Sequence, residues 1–215
     1  MHGLQRNQLV WLYPEAWQAI VARTWDNQAL NILRHWAEHQ LPLVVARQRE
    51  GSDPTHISLG LPAPLQWERR KLALEAKSEH VTRTGHFPWL HELVQQGAWL
   101  EGVHECARAL KALGLQARVY GSHGWQCITG MACVQAASDL DLSFEVPDLG
   151  TAAALCKVLA ELDYGMALDG EIVFRQGAAV PWREMHQLTS GKVHQVLTRD
   201  RYVARLVDLN GLRCL

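Results

Sequence analysis

The chain has almost no net charge: 21 Lys and Arg stand against 22 Asp and Glu across 215 residues, leaving −1. Without a cationic excess it lacks the long-range attraction of a general nucleic-acid or anionic-membrane binder. No apolar run approaches the ~18 residues that mark a transmembrane helix. Residues 1–8 contain neither a continuous apolar stretch nor a small-residue cleavage site, so secretion is not expected and the cytoplasm is. The five cysteines (Cys106, Cys127, Cys133, Cys156, Cys214) are odd in number and form no C-x-x-C pair. That argues against a zinc site and for reduced, mostly buried thiols. Internal repeats and low-complexity stretches are absent. What remains is a chain 48% hydrophobic and 20% charged, able to bury a core, in which nine Trp outnumber four Tyr and three Phe.

In the first half, 8–12 reads as a short strand and Pro14 to about His39 as one helix, with Trp17, Ile20, Val21 and Trp25 at helical spacing. Pro42 ends it, and 43–46 and 56–60 flank the turn Gly51-Ser52-Asp53-Pro54 as a hairpin-like pair. Residues 60–64 read as a loop, 71–78 fits either strand or helix, and 82–88 looks irregular. In the second half, helices are expected at 101–113, 124–134, 151–162 and 182–189. Strands are expected at 117–120, 140–146, 169–175 and 192–197, with 179–182 continuing the sheet. Gly85, Pro88 and Gly97 punctuate a boundary. Helices alternating with strands argue for an α/β or α+β sheet layer, divided at that boundary into 1–90 and 91–215.

The segment with the most chemistry runs from Val119-Tyr120-Gly121-Ser122-His123-Gly124 to Ser138-Asp139-Leu140-Asp141-Leu142. A strand delivers Gly-Ser into a turn before a helix, where backbone N–H groups face outward and glycine admits a phosphate. Asp139 and Asp141, at i and i+2, project from one face of the following strand. Paired carboxylates repel unless a cation lies between them, and hard oxygens of this kind suit Mg²⁺ carrying nucleotide phosphates. A lone D-x-D or a lone Gly-Ser is commonplace; the two together in strand–turn–helix–strand order carry the reading.

This arrangement resembles the nucleotidyltransferase fold of polymerase-β-type enzymes, which implies an α+β protein of two domains, the second (91–215) a mixed sheet flanked by helices. The longer string G-S-H-G-W-Q…T-G…S-D-L-D-L, with V-P-W-R-E after it, resembles the malonate decarboxylase holo-acyl-carrier-protein synthases, or phosphoribosyl-dephospho-CoA transferases. The interval between Gly-Ser and the carboxylates is longer than in most of the superfamily, though it suits this branch. The resemblance implies transfer of the phosphoribosyl-dephospho-CoA group from its triphosphate precursor, 2'-(5''-triphosphoribosyl)-3'-dephospho-CoA, to a serine of the apo acyl carrier protein, with loss of pyrophosphate. It further implies that Asp139 and Asp141 hold Mg²⁺ and that Gly121 and Ser122 bind the triphosphate. Transfer to another protein or small-molecule acceptor, and a non-catalytic nucleotide-binding module, are the alternatives.

A third carboxylate is sought in Asp169-Gly170-Glu171, and Glu171 is preferred because it opens the apolar strand; Glu184 is a further candidate. Arg183 and Lys192 are expected on the phosphates, with surface solvation as the competing assignment. Arg69-Arg70-Lys71 could meet CoA phosphates or an acidic carrier, but reads first as a solvated face. His35 and His39 lie one helical turn apart without a third ligand, which favours a helix surface. His123 is placed to touch phosphate, while Cys127, Cys133, Trp125 and Trp182 are read mainly as packing residues.

Overall fold

In the computed structural model, which describes residues 3–48, 51–97 and 99–214, each half of the chain builds one sheet. The first half comprises β1 (Leu9–Leu12), α1 (Pro14–Val21), α2 (Asn27–Glu38), β2 (Leu43–Val45), β3 (His56–Pro62), β4 (Lys71–Lys77) and β5 (Val81–Gly85). The strands lie in the order β4-β3-β2-β1-β5, all antiparallel. Trp17 and Ile20 of α1 and Ile32, Leu33 and Trp36 of α2 bury against this sheet.

The single helix expected from Pro14 to His39 is two helices. Asp26 breaks the run: extended at the N-cap, it accepts from the Ala29 N–H at 2.9 Å and starts a new helix. Arg70 donates to the same carboxylate at 2.7 Å and, together with that cap, holds it well below the usual carboxylate range. Residues 71–77 resolve as a strand because Leu72, Leu74 and Ala76 alternate inward. Residues 81–85 form a sheet edge whose side chains are largely solvated, so they lack the apolar alternation that would betray a strand.

The second half adds α3 (Leu90–Gln96), α4 (Glu101–Ala112), β6 (Ala117–Val119), α5 (Gly121–Thr129), β7 (Leu140–Glu145), α6 (Leu149–Glu161), β8 (Leu168–Val173) and β9 (Ala179–Pro181). It closes with α7 (Trp182–Thr189), β10 (Val196–Arg199), β11 (Ala204–Val207) and α8 (Leu209–Arg213). The sheet order is β11-β10-β9-β8-β7-β6. β7 and β8 are parallel and joined through α6, while their neighbours are antiparallel, so the sheet is mixed. α5 starts three residues earlier than expected and ends at Gly130, whose φ of +68° caps the helix before the residues thought to continue it.

Strand alternation sorts this sheet into two faces. Leu140, Leu142 and Phe144 turn into a core shared with Leu155, Cys156, Trp182, Met185 and Leu188 from α6 and α7. Asp141, Ser143 and Glu145 take the other face. A third apolar cluster joins the halves: Leu9 from β1, Phe87 from the link, Trp125 from α5 and Cys133. No helix among the described residues is long and apolar enough to cross a membrane.

Candidate active site

The site forms where β6 passes into α5. Tyr120, extended at the N-cap, donates its N–H to the Asp141 carbonyl at 3.0 Å, fixing the start of the helix beside β7. The first N–H groups of α5 have no intrahelical partners, and the positive end of the helix dipole favours an anion there. Gly121, with φ +59°, is the first helical residue; a Cβ on it would stand 1.8 Å from Asp141 Oδ2. Only glycine lets the helix start this close to the carboxylate. Gly124 is equally constrained, because a Cβ there would lie 2.2 Å from the Val119 carbonyl oxygen.

A cleft of about 540 Å³ opens above these residues. Gly121, Ser122, Asp139 and Asp141 line it from the second half, and Asn7, Arg69 and Lys71 from the first. Asp139 stands just before β7 and is exposed, whereas Asp141 lies within the strand and is half-buried. Burial, and then the charges of Asp169 and Asp139, push the Asp141 carboxyl up to about 6; Arg69 pulls against them. Asp169 is its direct register partner on β8.

The donor set fits a divalent cation with hard-oxygen preference. Asp139 and Asp141 share the cleft, and their mutual repulsion is what a cation would offset. Among the described residues no three His, Cys, Asp or Glu side chains are grouped to enclose a metal. Two carboxylates would supply only part of a coordination shell, as where Mg²⁺ is held between one or two carboxylates and substrate phosphates.

The remaining expected site residues lie elsewhere. Glu171 accepts from Arg6 in a close ion pair and from Asn7 Nδ2 at 3.4 Å, so it is engaged across the seam between the halves. Arg183 and Lys192 are outside the cleft. Arg183, on α7, donates to the Leu168 carbonyl at 3.0 Å with its guanidinium 4.4 Å from the centre of the Trp182 ring. Lys192 is exposed just beyond α7. The reason is topological: α7 packs on the sheet face opposite Asp141. His123 also turns away, its ring 5.2 Å from that of Trp99 and its Nε2 buried without a partner. Trp125 is buried edge-on against Phe87 at the wall of the cleft, and Trp182 is core. Cys133 packs in the seam, but Cys127 is exposed. His35, in the last turn of α2, and His39, its C-cap, stack at 4.1 Å, His39 Nδ1 lying 2.9 Å from the His35 carbonyl. Arg69 and Lys71 were legible only as a local basic cluster; their place at the cleft depends on how the two sheets meet.

The raised pKa of Asp141 ties stability to pH. A carboxyl whose folded pKa exceeds its ordinary 3.8 favours the native state at low pH, and that contribution is lost as pH rises through about 6. Without metal, Asp141→Asn is therefore expected to melt higher than the parent at pH 7.5, by ~2–4 °C, the shift ~1 kcal/mol gives in a protein of this size. The gap should close by pH 4. A melting difference that ignores pH would show that Asp141 is not held in this way.

An α+β chain whose two halves share a cleft lined by a glycine-led helix start and paired aspartates is the class these observations define. Residues 5–87 match the family model for the phosphoribosyl-dephospho-CoA transferase MdcG N-terminal domain, and residues 90–210 match that for the MdcG C-terminal domain. A phosphoribosyl-dephospho-CoA transferase of Xanthomonas euvesicatoria pv. vesicatoria is 33% identical over 214 residues, covering 96% of this chain and 95% of the relative. One from Xanthomonas campestris pv. campestris is 31% identical over 216 residues, covering 96% and 95%. One from Bradyrhizobium diazoefficiens is 30% identical over 206 residues, covering 92% and 90%. No solved structure matches. The chain belongs to the phosphoribosyl-dephospho-CoA transferase family, and it is a transferase by that membership.

Proposed function

We propose that the protein transfers the phosphoribosyl-dephospho-CoA group from 2'-(5''-triphosphoribosyl)-3'-dephospho-CoA to a serine of the apo acyl carrier protein of malonate decarboxylase, in the cytoplasm, using a nucleotidyltransferase-type site. The observation that carries this reading is the Gly121-Ser122 helix start facing Asp139 and Asp141 in the shared cleft of a chain with these relatives. The seryl oxygen forms a bond to the α-phosphorus, the bond to the β-phosphate oxygen breaks, and pyrophosphate leaves. The hydroxyl proton passes to solvent. Such a reaction asks the protein chiefly for positioning and charge stabilisation.

Backbone N–H groups at the α5 start, with the Ser122 hydroxyl, donate to phosphate oxygens. Asp139 and Asp141 would hold Mg²⁺. When bound, the ion supplies Lewis-acid charge for the attacking and departing oxygens. Asp169, the register partner of Asp141, is better placed than Glu171 to serve as a third carboxylate, since Glu171 is paired with Arg6.

The test incubates the protein with Mg²⁺, the triphosphoribosyl precursor and apo carrier protein, then weighs the carrier by mass spectrometry. A prosthetic-group adduct with stoichiometric pyrophosphate supports the proposal. No adduct, or an adduct from ATP alone, rejects it in favour of another acceptor or donor. In the same assay Asp169→Asn is expected to slow turnover about 10-fold or more, while Glu171→Gln mainly lowers the melting temperature by loosening the seam. The reverse ranking would return the third-carboxylate role to Glu171.

A further inference from the structure

The cleft carries the two carboxylates of Asp139 and Asp141, and in the proposed reaction it must also take a triphosphate. Among the described residues, the cationic side chains lining it are Arg69 and Lys71, both from the first half. Nearby arginines are engaged: Arg6 with Glu171, Arg70 with Asp26 and Gln28, and Arg118 with the Phe87 carbonyl and the face of Trp89. Arg69 makes one long hydrogen bond, to Gln135 Oε1 at 3.4 Å.

The backbone sets Arg69 in an unusual posture. Glu68 and Arg69 have φ of +55° and +56°, the left-handed region that a residue bearing Cβ occupies only at a cost. The corner is held by Arg69 N–H to the Pro64 carbonyl at 3.2 Å, Arg70 N–H to Trp67 at 3.0 Å and Ala63 N–H to Arg70 at 2.8 Å. The same corner grips the loop leading to Asp139, since the Leu65 N–H donates to the Ala132 carbonyl at 2.9 Å. Glycine would take these dihedrals freely, yet an arginine stands at the second position, at the lip of the cleft. Left-handed dihedrals at residues bearing Cβ cluster at ligand clamps and active sites.

We propose that Arg69, with Lys71, forms a subsite on the first domain for the outer phosphates of the triphosphate and so for the departing pyrophosphate. This rests on the transfer reaction proposed above. The α-phosphorus lies over Asp139, Asp141 and the start of α5, and the leaving group extends toward β4. Arg69 offers paired N–H donors to phosphate oxygens, and Lys71 adds a second, compact charge. The first domain therefore completes the reaction centre rather than only docking a substrate.

The experiment uses the full chain with Mg²⁺. Inorganic tripolyphosphate binding is read by calorimetry, and kcat and KM for precursor and carrier by the adduct assay. Arg69→Ala is expected to weaken tripolyphosphate binding and raise the precursor KM about 10-fold, with the carrier KM unchanged. Arg69→Lys should recover part of the loss. Arg69→Gly removes the guanidinium while relieving the backbone, so it should match Ala in binding and equal or exceed the parent in melting temperature. Unchanged tripolyphosphate binding in Arg69→Ala and Arg69→Gly, or a rise confined to the carrier KM, overturns the subsite. Because binding is read without turnover, failure of the proposed reaction shows separately, as wild-type protein that binds tripolyphosphate and labels no carrier.

Discussion

Asp141→Asn is expected to abolish prosthetic-group transfer, with kcat falling about 10³-fold or more. Metal-assisted charge stabilisation contributes several kcal/mol to such reactions, and each 1.36 kcal/mol is tenfold in rate. An amide in place of the carboxylate keeps the shape and leaves a neutral group where the proposed site would hold a cation. Asp139→Asn should lose less, about 10²-fold, because Asp139 is exposed and water can take a vacated ligand position. The assay is the mass shift of the carrier protein under saturating precursor, with added Mg²⁺ raised stepwise. The combination expected of Asp141→Asn, inactive yet no less stable without metal at neutral pH, separates a functional carboxylate from a structural one. An active Asp141→Asn protein would sink the assignment of the site.

Gly121→Ala carries the second large effect. Alanine pays ~1–2 kcal/mol for the left-handed dihedral, and its Cβ would fall 1.8 Å from Asp141 Oδ2. Either the helix start or the carboxylate must move by more than an ångström, a displacement that costs about 10²-fold in a positioned reaction. The melting temperature should drop by about 2–8 °C at the same time. Gly114→Ala is the control: φ there is +68°, but nothing stands within 4 Å of its Cβ. It should reproduce the stability loss without the loss of transfer. Equal activity in the two variants would show that the close approach of Gly121 to Asp141 is dispensable.

What could be read from sequence was whatever local chemistry controls. Gly-Ser ahead of a helix and the D-x-D pattern placed four residues in one cleft, since a strand fixes which side chains share a face and a glycine fixes where a helix can start. The helix from Pro14 to His39 was misjudged as continuous because periodicity outweighed Asp26, whose capping geometry shows only in three dimensions. β5 escaped notice because an edge strand with solvated side chains has no alternation to read. Arg183 and Lys192 were expected on the phosphates because they lie in the same half as the carboxylates, but sequence proximity says nothing about which side of a sheet a helix covers. Arg69 was hidden for the complementary reason: its distance along the chain from Asp141 conceals a meeting that depends on the docking of two sheets.

Phe87 sits where the chain, the seam and the cleft meet. It belongs to the short link between β5 and α3, to the apolar seam and to the wall of the cleft. The covalent tether between the halves is thus also part of the cleft wall. A swing of one half against the other would change the cleft's dimensions, so aperture and the posture of the two sheets are one mechanical variable. A ligand long enough to touch both halves would set that variable by its own length, as an object sets a caliper.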